Sequence, residues 1–170
     1  PTSEQMAEIA ISAARVVRLF GFEPKVAFVS HSTFGQPLTS RTKHIRTAVD
    51  ILKEKKVDFE FDGDMQPDVA LNPEYEDLYP FSNIVGKANI LIMPGQHSAA
   101  ISYKMMKTLG DTKVIGPLLI GLGLPIEIAP LRSSTSEIIN LASIAAYSAD
   151  VINYNKKIII LFEFLNPQQV

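Results

Sequence analysis

Three short stretches carry residue types that could bind or act on a small molecule. The first is Ser30-His31-Ser32-Thr33-Phe34-Gly35. Small hydroxyls and a glycine after a strand can cradle an anion, because backbone N–H groups at a turn or helix start point outward. The competing reading is a hydrophilic loop whose hydroxyls bond its own backbone. The second stretch is Asp62-Gly63-Asp64-Met65-Gln66-Pro67-Asp68. Its carboxylates could hold a divalent cation, but the closing Glu of a calcium loop is missing, so a turn with solvated carboxylates is favoured. The third is Arg132-Ser133-Ser134-Thr135-Ser136-Glu137. Its hydroxyls make good helix N-caps, and Glu137 suits a first turn. Arg132 could also clamp a phosphate or carboxylate beside that helix start.

Other chemistry finds little support. His31, His44 and His97 lack paired metal-ligand spacing. No Gly-x-Ser-x-Gly elbow offers a hydrolase nucleophile, and no Gly-x-Gly-x-x-Gly turn offers a nicotinamide site. The chain has no cysteine, which removes disulfides, thiolate ligands and a cysteine nucleophile. No catalytic residue and no metal ligand is therefore assigned.

The elements that must position these stretches follow from hydrophobic spacing. Met6, Ile9, Ala13, Val16, Val17 and Phe20 predict a helix over 2–20 with one apolar stripe, opened by a Thr2/Gln5 capping box. Lys25 to Ser30 reads as a buried strand feeding the serine loop, and 40–54 returns to helical spacing. Alternation over Val57 to Phe61 predicts a half-buried strand, with Asp62-Gly63-Asp64 turning the chain. Residues 68–79 are weakly helical, 88–93 a buried strand, and 98–109 a helix. Apolar runs at 114–120 and 125–128 are separated by Gly121 and Gly123 and precede a helix over 135–149. The stretch 157–165 has strand composition but could be a buried helical tail, so residues 151–170 stand as a tail of uncertain structure. Alternating strands and helices predict an α/β fold, with a three-layer, mostly parallel sheet and helices on both faces.

Composition agrees with a packed protein. Apolar residues make up 46% and charged residues 20% of 170 residues, and no composition shift marks a second domain. A net charge of -2 gives no electrostatic footprint for nucleic acid. No run of apolar residues is long enough for a membrane span. The start, Pro1-Thr2-Ser3, has neither an initiator Met nor a secretory leader. A cytoplasmic piece of a longer chain is the expectation.

Five segments, in order, resemble the phosphate acetyl/butyryl transferase family. Val26 to Gly35 resembles its strand and Ser-x-Ser-Thr-x-Gly loop, and Ile45-Arg46-Thr47-Ala48 a stretch of the next helix. Asp62 to Ala70 resembles its Asp-Gly-x-x-Gln-x-Asp-x-Ala turn. Met93 to Lys104 is similar to its Pro…Asn-x-x-Tyr-Lys segment, with Ala100 where the Asn usually stands. Gly116-Pro117 through Gly121 to Pro125 resembles its Gly-Pro-x-x-x-Gly-x-x-x-Pro signature. Ser30-His-Ser-Thr-Phe-Gly, Asp62-Gly-Asp-Met-Gln and Lys107-Thr-Leu-Gly110 look most like the C-terminal region of hybrid bacterial malic enzymes.

The resemblance implies that residues 1–170 are a partial phosphotransacetylase-like domain, the second half of that fold, within a longer malic enzyme chain. It implies NAD(P) and a divalent metal, Mg or Mn, on the N-terminal portion of such a protein, and no cofactor in this piece. It also implies a departure. The transferases carry a Ser-Arg pair, followed shortly by an Asp; aligned from Pro125, those places hold Pro130, Leu131 and Glu137. Neither Pro130 nor Leu131 can stabilise a charged acyl-transfer intermediate, and one lost donor at such a site costs about 2.7–4 kcal/mol. The implied role is regulatory, with acetyl-CoA or a related acyl-CoA as effector, association with the rest of its own malic enzyme chain, and a homo-oligomer. The alternative is an active acyltransferase. Candidate ligand residues are Ser30, Ser32, Thr33 and Gly35, the Gly116-Pro117 turn, and Arg132, Ser133 and Ser134, because loops at strand C-termini converge in a doubly wound sheet.

Overall fold

The structure is a computed structural model that describes residues 1–110, 113–122, 124–151 and 159–162, the backbone alone at 151 and 159–162. The chain parts into two compact units, Pro1–Leu109 and Gly110–Val170, at a point where composition gives no signal.

In the first unit, β1 (Lys25–Val29) is the central strand of a parallel sheet of order β2-β1-β3, with β2 at Glu60–Met65 and β3 at Ile90–Ile92. Successive side chains of a strand point to opposite faces. Val26 and Phe28 accordingly meet α1 (Ser3–Leu19) and α2 (Ser40–Lys55) in one core, with Ile45, Val49, Leu52 and Ile92. Ala27 and Val29 meet Met65, Ala70, Ile84 and Ala88 on the other face. That second face is covered by α3 (Pro67–Leu71), which packs on β1 and leads into a 3-10 turn, Pro73–Leu78. A strand covered on both sides is the reason that β1 reads as an unbroken apolar run. Helix α4 (Gln96–Leu109) follows β3 and has no buried residue.

The second unit holds β4 (Ile126–Ala129) paired in parallel with β5 (Ile159–Phe162), and α5 (Thr135–Val151) packed on β4. The stretch 157–165 is thus strand at 159–162; the rest of it lies outside the described residues, as does most of the 151–170 tail. Residues 113–120 have no regular structure. Among the described residues no helix is long and apolar enough to cross a membrane.

Three expectations about local structure are corrected. Asp62-Gly63-Asp64 is not a turn with solvated carboxylates; it lies inside β2, and both aspartates are buried. The strand starts at Glu60 and not Val57, because β1 pairs with it from Lys25↔Glu60 onward. The buried stripe of α1 is Met6, Ala7, Ala10 and Ala14, whereas Ile9 and Phe20 are 45% and 44% exposed. Small alanines let α1 sit close to α2 and the sheet, and that rotates the helix away from its larger apolar residues.

Candidate functional site

The serine loop leaves β1 and is built around Asp64. The register between β1 and β2 runs Phe28↔Gly63 and then Val29↔Met65, so Asp64 is an extra residue opposite no partner. Gly63 makes this possible. Its φ is +150°, and a Cβ there would lie 2.7 Å from both the Phe28 Cβ and the Phe28 carbonyl oxygen. The fully buried Asp64 carboxylate accepts a hydrogen bond from the Ser32 hydroxyl and from the Gly35 N–H at 3.1 Å. Its carbonyl accepts from the Phe34 N–H at 2.6 Å. Thr33 Oγ1 accepts from the Gln66 N–H at 3.2 Å, and Gln66 Nε2 donates to the His31 carbonyl at 2.9 Å. Asp62 is likewise satisfied within the protein, by the Gly63 N–H at 2.9 Å and the Asn83 N–H at 2.7 Å. The second motif therefore buttresses the first. No group of three or more His, Asp or Glu side chains placed to hold a metal occurs among the described residues.

Of the four loop candidates, Ser30 alone borders the main cleft of this unit, a cavity of about 720 Å³. Ser32 is fully buried, and Thr33 faces a separate groove with Gln66 and Tyr79. The cleft is lined instead by residues that motif reasoning passed over: Arg41 and His44 on α2, and Ser98 and Ser102 on α4. Two signals for them were in the chain, an arginine at the second position of a predicted helix and two serines four residues apart on another.

In the second unit, Gly116 and Pro117 lie in the irregular stretch before β4. Glu127 of β4 is 5% exposed and accepts from the Leu119 N–H at 3.2 Å. Burial pushes its carboxyl above the ordinary value of 4.5, and the Leu119 N–H partly offsets this. Pro130 and Leu131 follow β4 directly and are exposed. Ser133 donates its N–H to the Pro130 carbonyl at 2.9 Å. Ser134 caps α5: Glu137 N–H donates to its hydroxyl at 3.3 Å, and its own N–H donates to Glu137 Oε2 at 2.8 Å. Both side chains of that capping box are thus engaged, while Arg132 is exposed at the helix start.

The chain matches the family described as Phosphate acetyl/butaryl transferase over residues 1–146. It belongs to that family. A NADP-dependent malic enzyme of Rhizobium meliloti is 49% identical over 149 residues, 88% of this chain and 20% of that protein. A phosphate acetyltransferase of Bacillus subtilis is 37% identical, again over 88% of this chain and 46% of the relative. A solved EutD phosphotransacetylase from Staphylococcus aureus superimposes with a TM-score of 0.81 at 32% identity, covering 88% of this chain and 47% of that one. The chain therefore spans about a fifth of its malic enzyme relatives and under half of the transferases it matches. Within the family fold, the parallel sheet with helices on both faces is as the sequence predicted.

Proposed function

We propose that this chain is a regulatory, non-transferring member of the phosphate acetyl/butaryl transferase family within a malic enzyme, and that it binds acetyl-CoA or a related acyl-CoA. The parent protein would oxidatively decarboxylate malate to pyruvate with NAD(P) and Mg or Mn on a portion outside this chain. A cytoplasmic location and association with the rest of that chain and with a second copy belong to the same reading.

The observation that carries it is the end of β4. Pro130 has neither hydroxyl nor N–H, Leu131 has no charge, and Glu137 is held by the α5 cap. A developing charge on a tetrahedral acyl intermediate would meet no donor from these two side chains. The 49% identity to a malic enzyme supports the parent activity, and the 37% identity to a phosphate acetyltransferase keeps active acyl transfer as the rival.

Two assays on the protein that carries this chain separate them. Acetyl phosphate and CoA should yield no thioester above background, whereas acetyl-CoA should change the rate of malate-dependent NADP or NAD reduction. Steady acetyl-CoA synthesis at about ten turnovers per second, the median for enzymes, would establish the transferase instead.

A further inference from the structure

The groove that Thr33 faces has a volume of about 560 Å³. That lies within the range of small-molecule sites, roughly 300–1,000 Å³. Phe34 and Val69, which line it, pack on the Ala27 and Val29 face of the sheet, whereas the main cleft is lined by Met6 and Ile45 from the other face. Its walls owe most to Tyr75, Leu78, Tyr79 and Phe81, which lie outside all five segments that resemble the transferases.

Three of its rings pack on one another at steep angles. Phe34 and Phe81 have centroids 4.8 Å apart with planes inclined at 68°, and Phe34 and Tyr79 are 5.4 Å apart at 48°. Tyr79 and Phe81 close the triangle at 6.1 Å and 86°. Rings set across one another around a shared space can attract a positive charge through their negative faces. At the same groove Leu78 and Phe81 remain 65% and 63% exposed, so a ligand there would take apolar surface from water.

The charge of the groove is one-sided. Residues 57–86 contain eight Asp and Glu and no Lys, Arg or His. Four of the eight are answered inside the first unit: Asp58 by Arg18, Glu60 by Lys25, and Asp62 and Asp64 by backbone and side-chain donors. Glu74, Glu76 and Asp77 are exposed on the 3-10 turn that also carries Tyr75 and Leu78. Asp68 lines the groove itself, and its carboxylate has no hydrogen bond or ion pair among the described residues. Gln66, also in the lining, donates its side-chain N–H to the His31 carbonyl and keeps its own carbonyl oxygen as an acceptor.

An anion would be repelled by this field, and a neutral apolar ligand would take water from an unpaired carboxylate. A cation on an organic carrier satisfies both the rings and the charge. We infer that the groove binds a small organic cation, with a guanidinium or ammonium group held by Asp68 and set against the rings of Phe34, Tyr79 and Phe81. The inference stands apart from the acyl-CoA reading, since CoA is an anion and does not suit this groove.

Calorimetric titration of the protein that carries this chain tests it, with N-acetyl-arginine amide as the probe and N-acetyl-citrulline amide as its uncharged counterpart. The arginine probe should bind at millimolar concentration or below, more weakly as salt is added, and the citrulline probe should bind less well. Asp68→Asn should weaken the arginine probe about five-fold, the loss of one exposed ion pair. Phe81→Leu should weaken it about two- to five-fold, and Glu54→Gln, an exposed carboxylate on α2, should change nothing. Asp68 and Phe81 are both exposed, and circular dichroism of each variant checks that the fold is kept. No binding of the arginine probe at ten-millimolar order, equal binding of the two probes, or an Asp68→Asn protein that binds as the native one does, each overturns the inference. Acetyl-CoA titrated into the same variants should bind as it does to the native protein, whichever way the proposed function is decided.

Discussion

Asp64 and Glu127 are two buried carboxylates that play opposite parts. Asp64 accepts from Ser32 and Gly35 and so holds the serine loop in place. Glu127 accepts from Leu119 while burial favours its neutral form. A carboxyl raised in the folded state contributes stability that is fully present below its ordinary value of 4.5 and lost as pH rises through the raised value. Glu127→Gln keeps an oxygen for the Leu119 N–H and removes the charge. We expect it to raise the thermal midpoint at pH 8, with the gain shrinking to nothing toward pH 4. Melting curves across that range check it, and a variant less stable at every pH would show that the ionised carboxylate is itself stabilising. The sign matters for function, because Glu127 ties the Leu119 stretch to the strand that ends at Pro130.

At the scale of elements, α1 is the instructive case. Its spacing of large apolar residues describes a helix correctly, but the buried edge is the alanine edge. Ala10 is fully buried, so Ala10→Leu forces several heavy atoms into a filled space and should cost about 1–3 kcal/mol. Ile9→Ala, at a 45% exposed site, should cost no more than about 1 kcal/mol. Urea denaturation of the two variants decides between the stripes; the reverse order would return Ile9 to the core. The same packing sets the cleft, since Met6 of this helix reaches its lining and Ser3 holds His44.

The whole molecule is two units with unequal cores. Both hydrophobic clusters of the first lie entirely within residues 1–109 and cover both faces of its sheet. A polypeptide ending at Leu109 should therefore fold alone. It should melt in one transition with an enthalpy on the order of 70 kcal/mol, the usual value per residue for its length. A broad, non-cooperative melt would mean that the second unit completes the first. If the short form folds, it should also keep the Arg41 cleft, because every residue lining that cleft lies before Leu109.

The sequence by itself determined the alternation of strands and helices, the three-layer sheet and the family. These follow from apolar periodicity, a capping box at Thr2, N-cap hydroxyls before the helix over 135–149, and five ordered motifs, all of which are local along the chain. It also showed Pro130 and Leu131 at the places where the resemblance to the transferases implies a Ser-Arg pair. The tertiary structure alone decided what Asp62 and Asp64 do. A pair of aspartates around a glycine reads as a turn until β1 is laid beside it and Phe28 leaves no room for a Cβ at Gly63. Residues 32 and 64 are far apart in sequence and meet only because the two strands are parallel neighbours. The cleft has the same origin: Arg41, His44, Ser98 and Ser102 sit on two helices, and only the order β2-β1-β3 brings the starts of those helices to one cavity.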